Sequence, residues 1–115
     1  MNIDKGLILR GMQESLTDMH RLSGELTTSQ LRVLMFVMRR GKATGRDISK
    51  ALEMSPPTVS RSIATLSDEK ISRRVGEPVG FLRLESDPLD RRVRYAVLTA
   101  KGQALVDRMV EKFQP

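Results

Sequence analysis

The chain has 115 residues, 39% of them hydrophobic and only four aromatic, and it contains no cysteine and one histidine. This length suits one domain with a modest aliphatic core, and the composition excludes disulfides, thiolate metal sites and thiol redox sensing. Twenty basic against fourteen acidic residues give a net charge of +6, which favours a polyanionic partner. We predict no metal and no cofactor. With no membrane-length apolar run and no signal-peptide layout, we expect a cytoplasmic protein without a membrane partner.

The basic excess lies in the middle of the chain. Residues 31–54 carry six basic against two acidic groups, and residues 55–94 carry eight against six. Ordinary solvated lysine and arginine side chains explain such an excess, and so does a nucleic-acid-binding surface. Charge alone does not separate these two interpretations.

Two helices are predicted at the start of the chain. Apolar residues recur at three-to-four spacing over residues 3–22, which predicts a first helix that ends at Gly24. The second helix starts at Thr27, which forms a capping box with Gln30. Its body, residues 31–38, is apolar on nearly every side, so we expect it to be the most buried helix.

Two shorter helices follow, separated by a tight turn. Thr44 is predicted to cap a helix over residues 45–52, whose inward-facing residues are Ile48, Ala51 and Leu52. Ser55 caps the next helix, with Pro56 at its first position, and its buried face consists of Val59, Ile63 and Leu66. Its exposed positions are short or basic side chains: Pro57, Thr58, Ser60, Arg61, Ser62 and Thr65.

The exposed face of this fourth helix suits DNA recognition. Short side chains let a helix lie deep in the major groove, and arginine matches the O6/N7 edge of guanine. The preceding helix would brace it across the backbone. A surface helix that happens to be rich in serine and threonine is the alternative, and the helix alone does not decide between the two.

The pattern then changes to alternation. Residues 81–85 and 93–97 predict two strands, joined by a turn-rich tip, Asp87–Arg92 (DPLDRR). Arg91 and Arg92 suit a minor groove, whose potential attracts guanidinium groups, and Asp90 would pair with one arginine and aim the other. A solubilising loop is the alternative. Thr99 is predicted to cap a last helix, whose apolar face consists of Leu105, Met109 and Phe113.

Four motifs in this order resemble the MarR family of winged-helix transcription regulators. They are Leu26-Thr27 with Gln30, the helix start Ser55–Arg61 (SPPTVSR), the tip Asp87–Arg92, and Leu98–Gly102 (LTAKG). The resemblance covers residues 26–102. It implies a mainly α winged helix-turn-helix fold with a small β-hairpin, and a homodimer on a pseudo-palindromic operator. It also implies a recognition helix in the major groove and a wing over the minor groove.

The resemblance leads to one predicted domain over residues 1–115. Residues 26–98 would form the DNA-binding lobe, while residues 1–25 and 99–115 would form the dimerisation region. The residues expected to contact double-stranded DNA are Ser55, Pro57, Thr58, Ser60, Arg61, Thr65, Arg46, Lys50, Arg91 and Arg92, with Arg39 and Arg40 as further phosphate contacts. Asp90 would orient the wing. The residues expected to form the dimer are Leu7, Met12, Leu16, Leu105, Met109 and Phe113, although the last three would equally close the core of a single chain.

We therefore predict a sequence-specific DNA-binding transcriptional regulator. An architectural or non-specific DNA binder is one alternative, and a protein-interaction adaptor on the same scaffold is another. The sequence has no glycine-rich phosphate loop and no nucleophile with a plausible base, so we do not expect an enzyme. The family includes members that respond to small molecules, but no effector is identifiable here, and we interpret Met12, Met19, Met35 and Met38 as core residues.

Three features depart from the family pattern. Residues 71–79 look inserted. Because Ile71 and Val75 continue the apolar stripe, the fourth helix is expected to run to about Val75 and end at Gly76. Glu53 stands where the family's turn often has glycine, which carries a backbone cost. The last helix is shorter than the long C-terminal helices from which the family builds its dimer.

Overall fold

The computed structural model describes residues 3–68 and 79–115, which form five helices and three strands. In chain order these are α1 (Lys5–Ser23), α2 (Thr28–Arg40), β1 (Lys42–Thr44), α3 (Gly45–Leu52), α4 (Pro56–Leu66), β2 (Leu82–Ser86), β3 (Arg94–Leu98) and α5 (Ala100–Lys112). The predicted mainly α fold with a β wing is confirmed. Among these helices, none is long and apolar enough to cross a membrane.

Each helix begins at a side chain that caps its free amide groups. Thr27 forms a capping box with Gln30, as predicted, and Thr44 forms a second one with Asp47. Single caps start the other three helices, at Asp4, Ser55 and Thr99. A cap satisfies amides that have no partner within the helix, so these side chains fix where each helix starts.

The three strands form one antiparallel sheet in the order β1-β3-β2. β2 and β3 are the predicted hairpin, in which Leu82 lies opposite Leu98 and Ser86 opposite Arg94. β1 pairs with the other edge of β3, with Ala43 opposite Ala96. Sequence reasoning missed β1, because three residues are too few to show an alternating pattern.

The core lies between the helices and the inner face of the sheet. Its fully buried members include Val33, Leu34, Val37, Ile48, Leu66, Phe81, Leu82 and Leu105. The expectation that α2 is the most buried helix is wrong, since α4 buries five of eleven residues and α2 four of thirteen. Met35 of α2 is 41% exposed, and Ala51 of α3 is also exposed rather than turned inward.

The end of α4 differs from the prediction. The helix stops at Leu66, and Ser67 continues in an extended conformation with ψ near 160°. Ser67 forms a parallel bridge with Leu82, and the Asp68 N–H donates to the Leu82 carbonyl at 2.8 Å. Pairing with the sheet therefore replaces the helical extension towards Val75. The rest of that extension, with Ile71, Val75 and Gly76, lies outside the described residues.

α1 packs on α5 through small and polar side chains rather than through its apolar stripe. Its buried residues are Gly11, Ser15, Asp18 and Met19. Asp18, only 3% exposed, accepts from Arg108 of α5, with Nε 2.7 Å from Oδ2 and a second bond from Nη2 to Oδ1. Most of the predicted apolar stripe therefore lies on the surface, since Ile8, Met12, Leu16 and Leu22 are 37% to 51% exposed, and Leu9, outside the stripe, is 66% exposed.

The Leu98–Gly102 segment locks α5 against the start of β2. The Thr99 hydroxyl donates to the Gly80 carbonyl at 2.6 Å, and the Thr99 N–H donates to the Phe81 carbonyl at 3.0 Å. A Cβ atom on Gly102 would collide with the Phe81 carbonyl oxygen. Glycine at this position is therefore required by the close approach of two backbones.

Candidate nucleic-acid interface

The start of α4 presents small polar groups on a rigid first turn. The Thr58 N–H donates to the Ser55 hydroxyl at 3.3 Å, and the two hydroxyls share a hydrogen bond of 2.8 Å. The exposed side chains that follow are Pro57, Ser60 and Arg61, while Thr58 is half-buried. No side chain in the described part of the chain pairs with Arg61, so its guanidinium is available to a ligand.

Two residues that the sequence placed on this exposed face, Ser62 and Thr65, are not freely accessible there. Ser62 is 4% exposed and belongs to the buried side of α4. Thr65 is half-buried, and its hydroxyl donates to the Arg61 carbonyl at 3.1 Å. The groups accessible at the start of α4 are thus Ser55, Pro57, Ser60 and Arg61, with Thr58 partly so.

The turn before α4 is built without glycine. Glu53 adopts a left-handed conformation, with φ 52° and ψ 47°. The Ser49 hydroxyl donates to the Met54 carbonyl at 2.6 Å, and Arg32 Nη2 of α2 donates to the Leu52 carbonyl at 2.8 Å. These bonds hold a backbone that costs a non-glycine residue free energy. Sequence reasoning missed Arg32, because its partner lies 20 residues away with no local signal.

The other predicted phosphate contacts are exposed basic residues on the neighbouring helices. Arg46 and Lys50 lie on the exposed side of α3. Arg39 and Arg40 end α2, and their guanidinium carbons lie 5.7 and 5.4 Å from the centre of the Phe36 ring. Such cation–π contacts restrain arginine without neutralising its charge.

The wing tip is fixed by two aspartates. Asp87 Oδ1 accepts from the N–H of Leu89 at 2.7 Å and of Asp90 at 3.3 Å. Asp90 accepts from the backbone N–H and Nε of Arg92, both at 3.1 Å, and from Nη2 at 3.3 Å. As the sequence predicted, Asp90 pairs with one of the two arginines. Arg91 is exposed and has no side-chain partner within residues 3–68 and 79–115.

The ion pair in the wing also lowers the pKa of Asp90. The pKa of Asp90 lies below its ordinary value, mainly because of the hydrogen bond from the Arg92 side chain and then because of the bond from its backbone N–H. Hydrogen bonds to a carboxylate favour its ionised form. Asp90 is therefore a stable anion at neutral pH, as its place beside Arg92 requires.

Two wing residues with clear structural features were not singled out from the sequence. Asp87 organises the turn through its side chain, and the signal was present, since an aspartate that starts a turn commonly accepts from N–H groups two and three residues later. Leu89 is 98% exposed at the tip. An isolated exposed leucine leaves no pattern that a sequence would reveal.

The residues predicted to form the dimer fall into two groups. Met12 and Leu16 of α1 are 51% and 45% exposed, and Leu7 is half-buried. Leu105 of α5 is completely buried within the single chain, so for this residue the alternative of closing the chain's own core is correct. The last two members of the set, Met109 and Phe113, are half-buried.

An apolar groove of about 550 Å³ runs between α2 and α5. Its apolar lining consists of Met35, Met38, Val106, Met109, Val110 and Phe113, and its polar lining of Arg39 and Gln114. The interpretation of the methionines as core residues holds for Met19, which is 2% exposed. It holds in part for Met38, which lines the groove but packs against the core. It is wrong for Met12 and Met35, which are 51% and 41% exposed.

Residues 25–76 match the model of the MarR family. No curated protein sequence matches the chain. Among solved structures, a transcriptional regulator from Thermotoga maritima is similar over 94% of this chain and 65% of its own, at 22% identity and a TM-score of 0.69. This chain therefore spans 65% of the length of that regulator.

Two further solved structures are similar over nearly the whole of this chain. BpsR of Bordetella bronchiseptica, whose DNA binding is regulated by 6-hydroxynicotinic acid, is 28% identical over 93% of this chain and 75% of its own, with a TM-score of 0.58. A mutant of S. aureus MepR bound to an oligodeoxyribonucleotide is 23% identical over 97% of this chain and 78% of its own, with a TM-score of 0.65. The match to the MarR family therefore covers residues 25–76, and the described chain as a whole shares the fold of these solved structures.

Proposed function

We propose that this chain is a sequence-specific double-stranded DNA-binding regulator of transcription. The observation that carries the proposal is a pair of exposed, rigidly held elements, each with an arginine that pairs with no side chain in the described structure. These are the start of α4 with Arg61 and the wing tip with Arg91. Support comes from relatives of the same fold, since S. aureus MepR and AbfR have been solved bound to DNA.

In this proposal α4 lies in the major groove. Thr58, Ser60 and Arg61 read base edges, because short hydroxyls permit close approach and arginine matches guanine. Thr65 has a smaller role than the sequence suggested, because its hydroxyl proton is used inside the helix. Phosphate contacts come from exposed polar and basic groups around α4: Ser55, Arg46, Lys50, Arg39 and Arg40. Pro57, which has no backbone N–H, contacts DNA only through its exposed ring.

The wing lies over the minor groove. Arg91 enters the groove, whose negative potential is strongest where it is narrow. Arg92 is held by Asp90, which offsets its charge, and it therefore stabilises the tip rather than entering the groove. The Asp90–Arg92 ion pair thus accounts for the different roles proposed for Arg91 and Arg92.

The proposed regulator is a homodimer that binds two half-sites. The exposed apolar side chains of α1 supply the contact, chiefly Ile8, Leu9, Met12 and Leu16, and Met109 and Phe113 border it from α5. A dimer axis would place two copies of α4 one helical turn of DNA apart, which is the spacing of a palindromic operator.

Selection of binding sites from random duplexes, followed by salt titration, tests the function. A specific regulator enriches a palindromic sequence, loses affinity steeply with salt, and prefers its site about 10³-fold or more over random DNA. An architectural binder keeps the salt dependence without the preference. An adaptor protein shows neither, and that result would refute DNA binding.

A further inference from the structure

Tyr95 joins the wing tip to the far edge of the sheet. It lies in β3, the middle strand, opposite Thr44 of β1 and Glu85 of β2. Its hydroxyl lies 3.3 Å from Asp87 Oδ2, to which it donates a hydrogen bond. The ammonium group of Lys42, on β1, lies 4.7 Å from the centre of the Tyr95 ring. One side chain therefore contacts both the loop of the hairpin and a strand outside the hairpin.

Asp87 uses its two carboxylate oxygens for different purposes. Oδ2 accepts from Tyr95, while Oδ1 accepts from the N–H groups of Leu89 and Asp90. The backbone closes the same loop, because the Asp87 N–H donates to the Val93 carbonyl at 2.9 Å and the Val93 N–H donates to the Asp90 carbonyl at 3.0 Å. Fixing Asp87 therefore fixes the whole tip.

The same hydrogen bonds extend from Asp87 through Asp90 to the arginines of the wing tip. Asp90 is oriented by Asp87 and in turn holds Arg92 by three hydrogen bonds. Arg91 lies between these two anchored residues and is exposed. A tip held in this way loses less conformational freedom on binding than a free hairpin loop, and such preorganisation improves affinity.

We propose that Tyr95 is a positioning residue of the wing, whose hydroxyl fixes Asp87 so that Arg91 is presented to DNA in one orientation. The proposal rests on the proposed DNA-binding function and adds to it a residue that acts through the wing rather than on DNA itself. Lys42 supports the same arrangement by holding the ring against β1.

The pKa of Tyr95 agrees with the hydrogen bond between its hydroxyl and Asp87. Its pKa is raised above the ordinary value, first by the hydrogen bond to Asp87 and then by the charge of that carboxylate, with smaller effects of desolvation and of Asp47. Tyr95 is the only tyrosine and the chain has no tryptophan. Absorbance of ionised tyrosine therefore reports on this residue alone.

The first experiment is a double-mutant cycle on DNA affinity. Tyr95→Phe keeps the ring and removes the hydroxyl, and we expect about 2- to 10-fold weaker binding, the range for one lost hydrogen bond. In an Arg91→Ala background the same change should cost nothing more, because the positioned group is absent. Gln103→Ala is the control, since it removes a 3.2 Å hydrogen bond to Asp107 within α5 and changes no residue of the sheet. Its effect should be equal in both backgrounds.

The second experiment follows the absorbance of Tyr95 with pH, in the wild type and in Asp87→Asn. The amide should lower the pKa of Tyr95 towards its ordinary value. Identical titrations, wild-type affinity of Tyr95→Phe, or losses that add to those of Arg91→Ala would each overturn the positioning role. If the wild type bound no duplex at all, the proposed function would fall and the positioning role with it, whereas these other results would remove the positioning role alone.

Discussion

Individual arginines of this protein differ in what they can offer to DNA. Arg61 and Arg91 are exposed and pair with no side chain of the described structure, whereas Arg92 and Arg108 are held by Asp90 and Asp18. A carboxylate beside a guanidinium offsets its charge and restricts its direction. Substitutions of these residues should therefore have unequal effects, even though all are the same residue type.

Arg61→Ala should relax base preference at one position of the operator by about 1–3 kcal/mol, because a bidentate contact to guanine would be lost. The measurement is affinity for the selected site and for its single-base variants. Arg21→Ala, an exposed arginine at the end of α1, is the control and should leave base preference unchanged. A uniform drop in affinity for all variants would identify Arg61 as a phosphate contact instead.

Lowering the pH should weaken the Asp90–Arg92 ion pair that holds the wing tip. Because the pKa of Asp90 is lower in the folded than in the unfolded chain, its ionised form favours the folded wing. That contribution is present above the unfolded-state pKa and is lost as the pH falls through the folded-state pKa. Carboxyl NMR should show Asp90 titrating below the ordinary value of aspartate, and Arg92→Gln should return it towards that value. Equal titrations in the two proteins would contradict the ion pair.

Among the helices and strands, what the sequence predicted correctly is local. The caps at Thr27, Thr44, Ser55 and Thr99 were predictable because the capping side chain and its target amide lie within three residues. The end of α4 was not, since it depends on pairing between Ser67 and Leu82. The buried face of α1 was missed for a related reason. Its packing uses Gly11 and Asp18, whose partners are Phe113, just after α5, and Arg108 of α5.

The same contrast applies to the candidate interface. The exposed residues of α4 and the Asp90–Arg92 pair follow from short-range spacing, so they were predictable. Arg32, which braces the turn before α4, and Lys42, which contacts Tyr95, act across different elements. Their roles depend on how the chain folds back on itself, which periodicity does not reveal.

Glycine at position 53 should stabilise the protein. The left-handed conformation of Glu53 is sterically unfavourable for a residue with a Cβ atom. Glycine avoids this strain but is more flexible in the unfolded chain, which offsets part of the gain. Glu53→Gly should therefore raise the free energy of unfolding by about 0.5–1 kcal/mol. Ala51→Gly, at an exposed helical position two residues earlier, should lower it by about 0.5–1 kcal/mol. Urea unfolding measures both. Destabilisation by Glu53→Gly would show that the glutamate side chain makes a compensating contribution.

Gly102 should not tolerate a larger residue. The new methyl group of Gly102→Ala would meet the Phe81 carbonyl oxygen, which belongs to the backbone and has little room to move. We expect a loss of about 1–3 kcal/mol or more, as for other overpacked sites. Gly6→Ala, in the first turn of α1, is the matched control and should be neutral or stabilising, because its Cβ would come no closer than 3.4 Å, to the Asp4 side chain. Thermal unfolding of the two variants separates steric conflict from helix propensity.

At the scale of the whole molecule, charge and apolar surface lie in different places. The basic excess belongs to residues 31–94, which include α3, α4 and the wing. The exposed apolar side chains are concentrated on α1, where five large residues are at least 37% exposed. Soluble proteins rarely leave a contiguous apolar patch open, and such patches usually mark contact surfaces. This separation suits a dimer joined through α1 with its basic surfaces directed at DNA.

Leu16→Asp should therefore separate the proposed dimer into monomers. Leu16 is 45% exposed in the single chain, so the substitution should leave the helical content by circular dichroism unchanged. A carboxylate buried at the dimer contact lacks a partner, and we expect at least about tenfold weaker association. Sedimentation velocity at micromolar concentration measures this. Leu89→Asp makes the same substitution at the wing tip, far from α1 in the sequence, and should leave the dimer intact. A wild-type protein that sediments as a monomer while binding a palindromic site would refute the dimer, and the exposed face of α1 would then need another partner.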